Sequence, residues 1–244
     1  MNRACAIVIP ARYASTRFPG KPLADLCGKP MIEHVIERAR AVRGVTRVLV
    51  ATDDPRIREA AERAGASAVL TRPDHPSGTD RIAEVARELA EDLVINLQGD
   101  EPLIDPQAIE KLLAAMVEDE SLSLATLITP LGELASFQDS NVVKVVIDRF
   151  GFALYFSRSP IPFARHQGHS CVFQHIGVYA YRREFLLRFV TLQQTPLELA
   201  EGLEQLRALE WGTRIKTVEV AWHGLAVDTP EQLEEVERRM RRET

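Results

Sequence analysis

Three cations, Arg12, Arg17 and Lys21, stand within ten residues of one another. They lie in the segment Ile9-Pro10-Ala11-Arg12-Tyr13-Ala14-Ser15-Thr16-Arg17-Phe18-Pro19-Gly20-Lys21-Pro22. A guanidinium offers phosphate oxygens a planar fork, and an ammonium offers them a compact charge. Ala11, Ala14 and Ser15 are small enough for a ligand to approach the main chain. The prolines and the glycine disfavour both helix and sheet ladder. This chemistry suits a triphosphate clamp; the competing reading is an exposed basic loop with no task. The pattern is neither the dinucleotide glycine fingerprint nor a G-x-x-x-x-G-K-[ST] loop, because Pro22 follows Gly20-Lys21. No helix is expected to start there, so side chains would hold the phosphates.

A clamp for a polyphosphate calls for carboxylates that can share a divalent ion. Asp100, in Gln98-Gly99-Asp100-Glu101-Pro102, is placed as a hard-oxygen ligand for Mg2+, with capping of a turn as the alternative. One aspartate binds this ion weakly, so a second is needed. Asp228, just before a capped helix, is the best candidate; capping that helix is an equally good reading. Asp53 and Asp54 read as helix caps. His166 and His169 are three apart with no third ligand nearby, which argues against zinc. His175, Gly177 and Tyr179 alternate along a strand and would share a face suited to a hydroxyl-rich ligand, although a satisfied core histidine fits equally.

The elements that must position these groups alternate. The uncharged run Cys5 to Ile9 reads as a buried strand, followed by a helix with Met31, Ile32, Val35, Ile36 and Ala39 inward. Strands at 47–51, 68–71 and 93–97 follow, each trailed by a helix. Strand and helix in alternation mean a parallel sheet covered on both faces. The polar segments 10–21, 52–54, 71–81 and 98–101 then gather at one sheet edge, where α/β folds bind ligands. From about residue 120 strands follow one another at 122–128, 142–147, 153–156 and 175–181, which suggests antiparallel pairing. Helices are expected at 183–190 and 197–210, the second with Leu199, Leu203 and Leu206 inward. Thr229-Pro230-Glu231-Gln232 is a capping box opening the last helix, with Leu233, Val236 and Met240 inward. The expected fold class is α/β, a mostly parallel sheet flanked by helices with an antiparallel strand insertion. A single domain over residues 1–244 is expected, with the insertion at about 150–182.

At 244 residues, 45% hydrophobic and 27% charged, the chain can build an ordinary core without disulfides or structural metal. A net charge of −5 makes nucleic acid a poor partner. Cys5, Cys27 and Cys171 are far apart, which points to a reducing compartment. Arg3 precedes only a short apolar run that ends at Pro10, so no signal peptide is expected, and no run is long enough to span a membrane.

With these residues laid out, the chain resembles the CMP-KDO synthetases, the 3-deoxy-manno-octulosonate (KDO) cytidylyltransferases. The resemblance runs nearly end to end. It is carried by the Ile9 to Pro22 segment, Ala51-Thr-Asp53, Thr71-Arg72, Ser77-Gly-Thr-Asp-Arg81, Gln98-Gly-Asp-Glu-Pro102, Tyr155-Phe-Ser-Arg158, His175-Ile-Gly-Val-Tyr179, Leu203-Glu-Gln-Leu-Arg207 and Val227-Asp-Thr-Pro230. It departs at Ala226, where the family often has Gly, at Ser140, where Pro is frequent, and in a short stretch between Arg158 and His175.

The resemblance implies a nucleotidyltransferase fold and a cytoplasmic homodimer. The substrates would be CTP and an acidic eight-carbon sugar, the cofactor Mg2+, and the product a CMP-sugar for lipopolysaccharide. It places Arg12 and Lys21, beside Ala11, on the CTP phosphates. Arg72 and the loop carrying Ser77, Gly78 and Asp80 would meet cytosine and ribose, and Asp100 and Asp228 would hold Mg2+. Arg12, Lys21, Asp100 and Asp228 form the catalytic set. Gln98, Arg158, His175, Tyr179, Glu204 and Gln205 would line the sugar-acid pocket, with Arg158 a partner for the carboxylate. The open alternatives are a cytidylyltransferase for another acidic sugar (an acylneuraminate or an amino-substituted octulosonate), a sugar-1-phosphate nucleotidyltransferase and a non-catalytic nucleotide-sensing module. The missing glycine fingerprint disfavours a Rossmann oxidoreductase.

Overall fold

The computed structural model describes residues 4–14, 17–131, 134–163, 165, 172–221 and 225–243. His166, His169 and Cys171 lie outside the described residues. The chain divides into two compact units, one of residues 1–110 and 224–244, the other of residues 111–223.

In the first unit, strands β1 (Cys5–Ala11), β4 (Arg47–Thr52), β5 (Ser67–Leu70) and β6 (Leu93–Asn96) form a parallel sheet in the order β6-β1-β4-β5. The short hairpin of β2 (Asp25–Leu26) and β3 (Lys29–Pro30) stands apart from it. Cys5 to Ile9 and Leu93 to Ile95 are wholly buried, as uncharged runs in a sheet covered on both faces must be. Cys5 is a core residue, and its burial pushes the thiol up to about 12. Helices α1 (Met31–Arg40), α2 (Pro55–Arg63) and α3 (Gly78–Ala86) connect the strands, and the five apolar α1 residues named above are all buried. Asp54 caps α2 by accepting Arg56 N at 2.8 Å, as expected. Asp53 does not cap it: its carboxylate takes the buried Arg81 at 3.1 Å, because a buried guanidinium needs a counter-charge.

Successive strands step outward from β1 to β4 to β5, and α3 then returns the chain to β6 on the other side of β1. The loops leaving β1 and β6 therefore diverge, which makes this the switch point where open α/β sheets bind ligands.

Helix α4 (Pro106–Glu118) carries the division between the units. In the second unit, β7 (Leu124–Pro130) pairs antiparallel with β10 (Phe173–Arg182) and parallel with β11 (Lys216–Glu219). Strand β8 (Lys144–Ile147) pairs antiparallel with both β10 and β9 (Ala153–Ser157). The antiparallel pairing is the expected one. Helices α5 (Leu134–Gln138), α6 (Arg183–Phe189), α7 (Pro196–Glu201) and α8 (Gln205–Glu210) complete the unit. The single helix expected over 197–210 is two: Gly202, at φ +61, ends α7 in a left-handed cap. Leu203 and Leu206 are buried, but Leu199 is 65% exposed, because the break changes which side of the segment faces the core.

The chain re-enters the first unit with α9 (Pro230–Glu243). Val236 joins Leu26, Met31 and Val227 in a buried cluster, with Leu233 and Met240 packed against it. Each such burial is worth about 1.5–3 kcal/mol, enough to seat the helix.

Candidate active site

The loop after β1 is tied back on itself. Gly20 N donates to Tyr13 O at 2.9 Å, and Gly20 sits at φ +72, a conformation that favours glycine. A 3-10 turn does begin at Lys21 (Lys21–Leu23), contrary to expectation, because Pro22, at its second position, needs no hydrogen-bond partner for its nitrogen and Leu23 N closes on Gly20 O at 2.8 Å. The turn projects the Lys21 ammonium to 2.8 Å from Asp100 Oδ2 and 3.2 Å from Asp228 Oδ1. Arg17 reaches the other oxygen of Asp228 at 3.0 Å.

Two features bring the carboxylates together. Val227 N donates to Asp100 O at 2.9 Å, joining the two segments through their main chains. Gly99 lets the loop after β6 lie against the end of β1: a Cβ there would meet Pro10 O at 3.0 Å.

These groups line a cavity of about 310 Å³ together with Ala11, Arg12, His75, Ser77, Gly78, Arg81 and Gln98. Its lining carries Arg12, Arg17, Lys21 and Arg81 against Asp100 and Asp228, a cationic balance suited to a polyanion. Glu101, beside them, is buried, and its Oε2 has no hydrogen-bond partner among the described residues. Burial, then the charges of Asp100 and Asp228, push its carboxyl up to about 8 despite Lys21.

Ala11, Arg12, Lys21, Ser77, Gly78, Gln98, Asp100 and Asp228 thus share one cavity. Arg72 and Asp80 are outside its lining. Arg72 is exposed, 3.7 Å from Asp74 and 3.8 Å from Glu84. Asp80 closes the cap of α3, exchanging bonds with Ser77 at 2.6 and 3.1 Å. Gln98 donates to Asn96 Oδ1 at 3.0 Å.

Arg158, His175, Tyr179, Glu204 and Gln205 belong to the second unit. Arg158 donates through Nε to Glu201 O at 2.9 Å and through Nη1 to Ser140 O at 3.1 Å. His175 packs against Phe156 at 5.0 Å and Tyr179 at 5.3 Å between ring centroids, and burial pushes its imidazole down to about 3. Its Nε2 lies 3.0 Å from the hydroxyl of Thr126, whose best acceptor is Val178 O at 2.9 Å. Burial, then the charge of Glu204, raise the Tyr179 phenol, so both rings are neutral. Gln205 is buried, with no hydrogen-bond partner for Nε2 among the described residues.

The sequence reading counted Arg17 among the cations of the clamp without giving it a role of its own, and did not assign Arg81 or Glu101 to the site. Arg17 shares the signal of the cationic loop, and Glu101 adjoins Asp100. Nothing in the order of residues indicates the burial of Arg81.

Among the described residues no three His, Cys, Asp or Glu side chains gather to hold a metal. Asp100 and Asp228 nevertheless face one cation between them, the Lys21 ammonium. Two hard carboxylates sharing a cationic position, beside room for phosphates, fit Mg2+, which takes one or two carboxylates and keeps its other positions for substrate and water.

A cytidylyltransferase family model matches residues 6–215. A 3-deoxy-manno-octulosonate cytidylyltransferase of an Anaeromyxobacter species is 54% identical over 95% of each chain. The protein of that name from Geobacter sulfurreducens is 49% identical over 94% of this chain and 96% of its own. A solved structure of CMP:2-keto-3-deoxy-manno-octonic acid synthetase complexed with CTP superposes with a TM-score of 0.95 at 50% identity, covering 98% of this chain and 99% of its own. The chain therefore belongs to the cytidylyltransferase family, and within it to the 3-deoxy-manno-octulosonate cytidylyltransferases.

Proposed function

We propose that this chain transfers CMP from CTP to 3-deoxy-manno-octulosonate, giving CMP-KDO and pyrophosphate for lipopolysaccharide assembly. It would act as a homodimer in the cytoplasm, as one nucleotidyltransferase domain whose segment at about 150–182 serves the sugar pocket and the dimer surface. No helix among the described residues is long and apolar enough to cross a membrane. The observation that carries the reading is the convergence of Lys21, Asp100 and Asp228 at the switch point of a sheet whose family relatives are cytidylyltransferases.

The anomeric hydroxyl of the sugar acid attacks the α-phosphorus of CTP; its bond to the bridging oxygen breaks and pyrophosphate leaves. Little covalent work falls to the protein, so positioning and charge dominate. Arg12 and Lys21 offset charge on the departing pyrophosphate, and Arg17 adds to the same field. Asp100 and Asp228 would hold Mg2+, which when bound would supply Lewis-acid polarisation of the phosphate and ease loss of the hydroxyl proton. Arg72 and the Ser77 to Asp80 loop frame the base and ribose. Arg158 takes the sugar carboxylate, while Gln98, His175, Tyr179, Glu204 and Gln205 take hydroxyls. Gln205 Nε2, buried and without a partner among the described residues, supports that assignment, since a buried donor calls for an acceptor.

Pyrophosphate release with CTP, Mg2+ and a panel of sugar acids tests the reading. Release with 3-deoxy-manno-octulosonate well above that with acylneuraminates or amino-substituted octulosonates is expected. Release with none of them would overturn it.

A further inference from the structure

Lys144 is completely buried in β8, paired with Ser157 of β9 on one side and Gln174 of β10 on the other. An ammonium donates three hydrogen bonds and accepts none. Three main-chain carbonyls take them: Asp139 at 2.8 Å, Val142 at 2.6 Å and Arg158 at 2.5 Å. The side chain is spent on these contacts and cannot itself reach a substrate. Burying a cation costs several kcal/mol, whereas an apolar residue would satisfy the strand at no such cost. What the charge achieves is to fix the carbonyl of Arg158.

Glu201 holds the opposite end of the same residue. Its carboxylate accepts Arg158 N at 2.9 Å and the Ser157 hydroxyl at 2.6 Å, and its carbonyl accepts Arg158 Nε at 2.9 Å. The main-chain carbonyl and amide of Arg158 thus end on opposite charges. The cage around Lys144 also holds Asp139, whose neighbour Ser140 accepts Arg158 Nη1 at 3.1 Å. With Nε and Nη1 tied to carbonyls, the guanidinium is fixed in direction, and its Nη2 makes no hydrogen bond among the described residues.

We propose that Lys144 and Glu201 are positioning residues. They clamp Arg158 between a buried cation and a half-buried carboxylate, so that the Nη2 edge of its guanidinium is presented ready-made to the carboxylate of the sugar acid. This deepens, and rests on, the reading of Arg158 as carboxylate partner. A fixed fork gives up little freedom on binding, which lowers the sugar concentration needed.

The test compares kcat and the KM for each substrate in the full chain, in Arg158→Met, in Lys144→Met and in the double variant, with folding checked by circular dichroism. Lys144→Met should raise the sugar KM about tenfold, the scale of one charge-assisted hydrogen bond, with the CTP KM within about twofold. The double variant should be no worse than Arg158→Met. If Arg158→Met raises the sugar KM but the Lys144→Met effect adds to it, or raises both KM values alike, the clamp is overturned while the Arg158 reading stands. An unchanged sugar KM in Arg158→Met would overturn both. Should Lys144→Met fail to fold, Glu201→Gln answers the same question: a selective rise in sugar KM supports the clamp, and an unchanged value overturns it.

Discussion

Gln232 Oε1 accepts the main-chain amide of Asp228 at 2.7 Å. The same oxygen takes Thr229 N at 3.1 Å, and Gln232 N returns to Thr229 Oγ1 at 3.4 Å. The box that opens α9 therefore also holds the main chain of a proposed metal ligand. Gln232→Ala should cost about 1 kcal/mol of stability as a lost cap. It should also raise the Mg2+ concentration for half-maximal pyrophosphate release. A cap that served only the helix would leave the Mg2+ titration unmoved.

Lys21 bridges Asp100 and Asp228 and is proposed to meet the CTP phosphates. Lys21→Ala should weaken CTP binding by at least about tenfold, the scale of a lost charge-assisted contact, and leave sugar binding within about twofold. Separate calorimetric titrations of each substrate decide. Equal weakening of both would place Lys21 in a general structural role.

Gly99→Ala puts a methyl 3.0 Å from the Pro10 carbonyl, which is main chain and cannot swing aside. Either β1 or the loop after β6 must shift. A loss of about 1–3 kcal/mol in urea unfolding, typical of overpacking, should accompany a raised KM for CTP. Normal stability would mean that the loops have slack that the packing does not suggest.

In the second unit Arg207 grips Glu198 at 2.8 and 2.5 Å, both nearly buried. Arg207→Met leaves a buried carboxylate without its partner and should cost about 3–5 kcal/mol. Burial pushes the Glu198 carboxyl up, but the hydrogen bonds and charge of Arg207 outweigh burial and hold it below its ordinary value. A depressed folded pKa contributes stability that is complete above the ordinary carboxylate range and lost as pH falls through the folded value. Denaturant melts at neutral and acid pH should show this loss in the natural chain and a smaller one in Glu198→Gln.

What the sequence made legible was local. The alternation of buried runs and helical stripes gave the parallel sheet, and Thr229-Pro-Glu-Gln232 marked a helix start that could be read without knowing its neighbours. Asp228 next to that start was a site candidate for the same reason. Partners from distant segments were not legible. Asp53 reads as a cap until Arg81 is seen to be buried beside it. Leu199 reads as core until Gly202 breaks the helix. The carbonyl cage of Lys144 joins the stretch just before β8 to the end of β9 and leaves no periodic trace. Arg72 and Asp80 sat in a polar loop of the right kind, but local charge and capping draw them to Glu84, Asp74 and Ser77.

Asp100 and Asp228 are proposed to hold the metal that CTP brings to the cationic loop. Turnover of Asp100→Asn at saturating Mg2+ and CTP tests it most directly, with circular dichroism confirming the fold. A fall of about two or more orders of magnitude is predicted, the scale of losing a preorganised electrostatic group. Turnover near that of the natural chain would contradict the account.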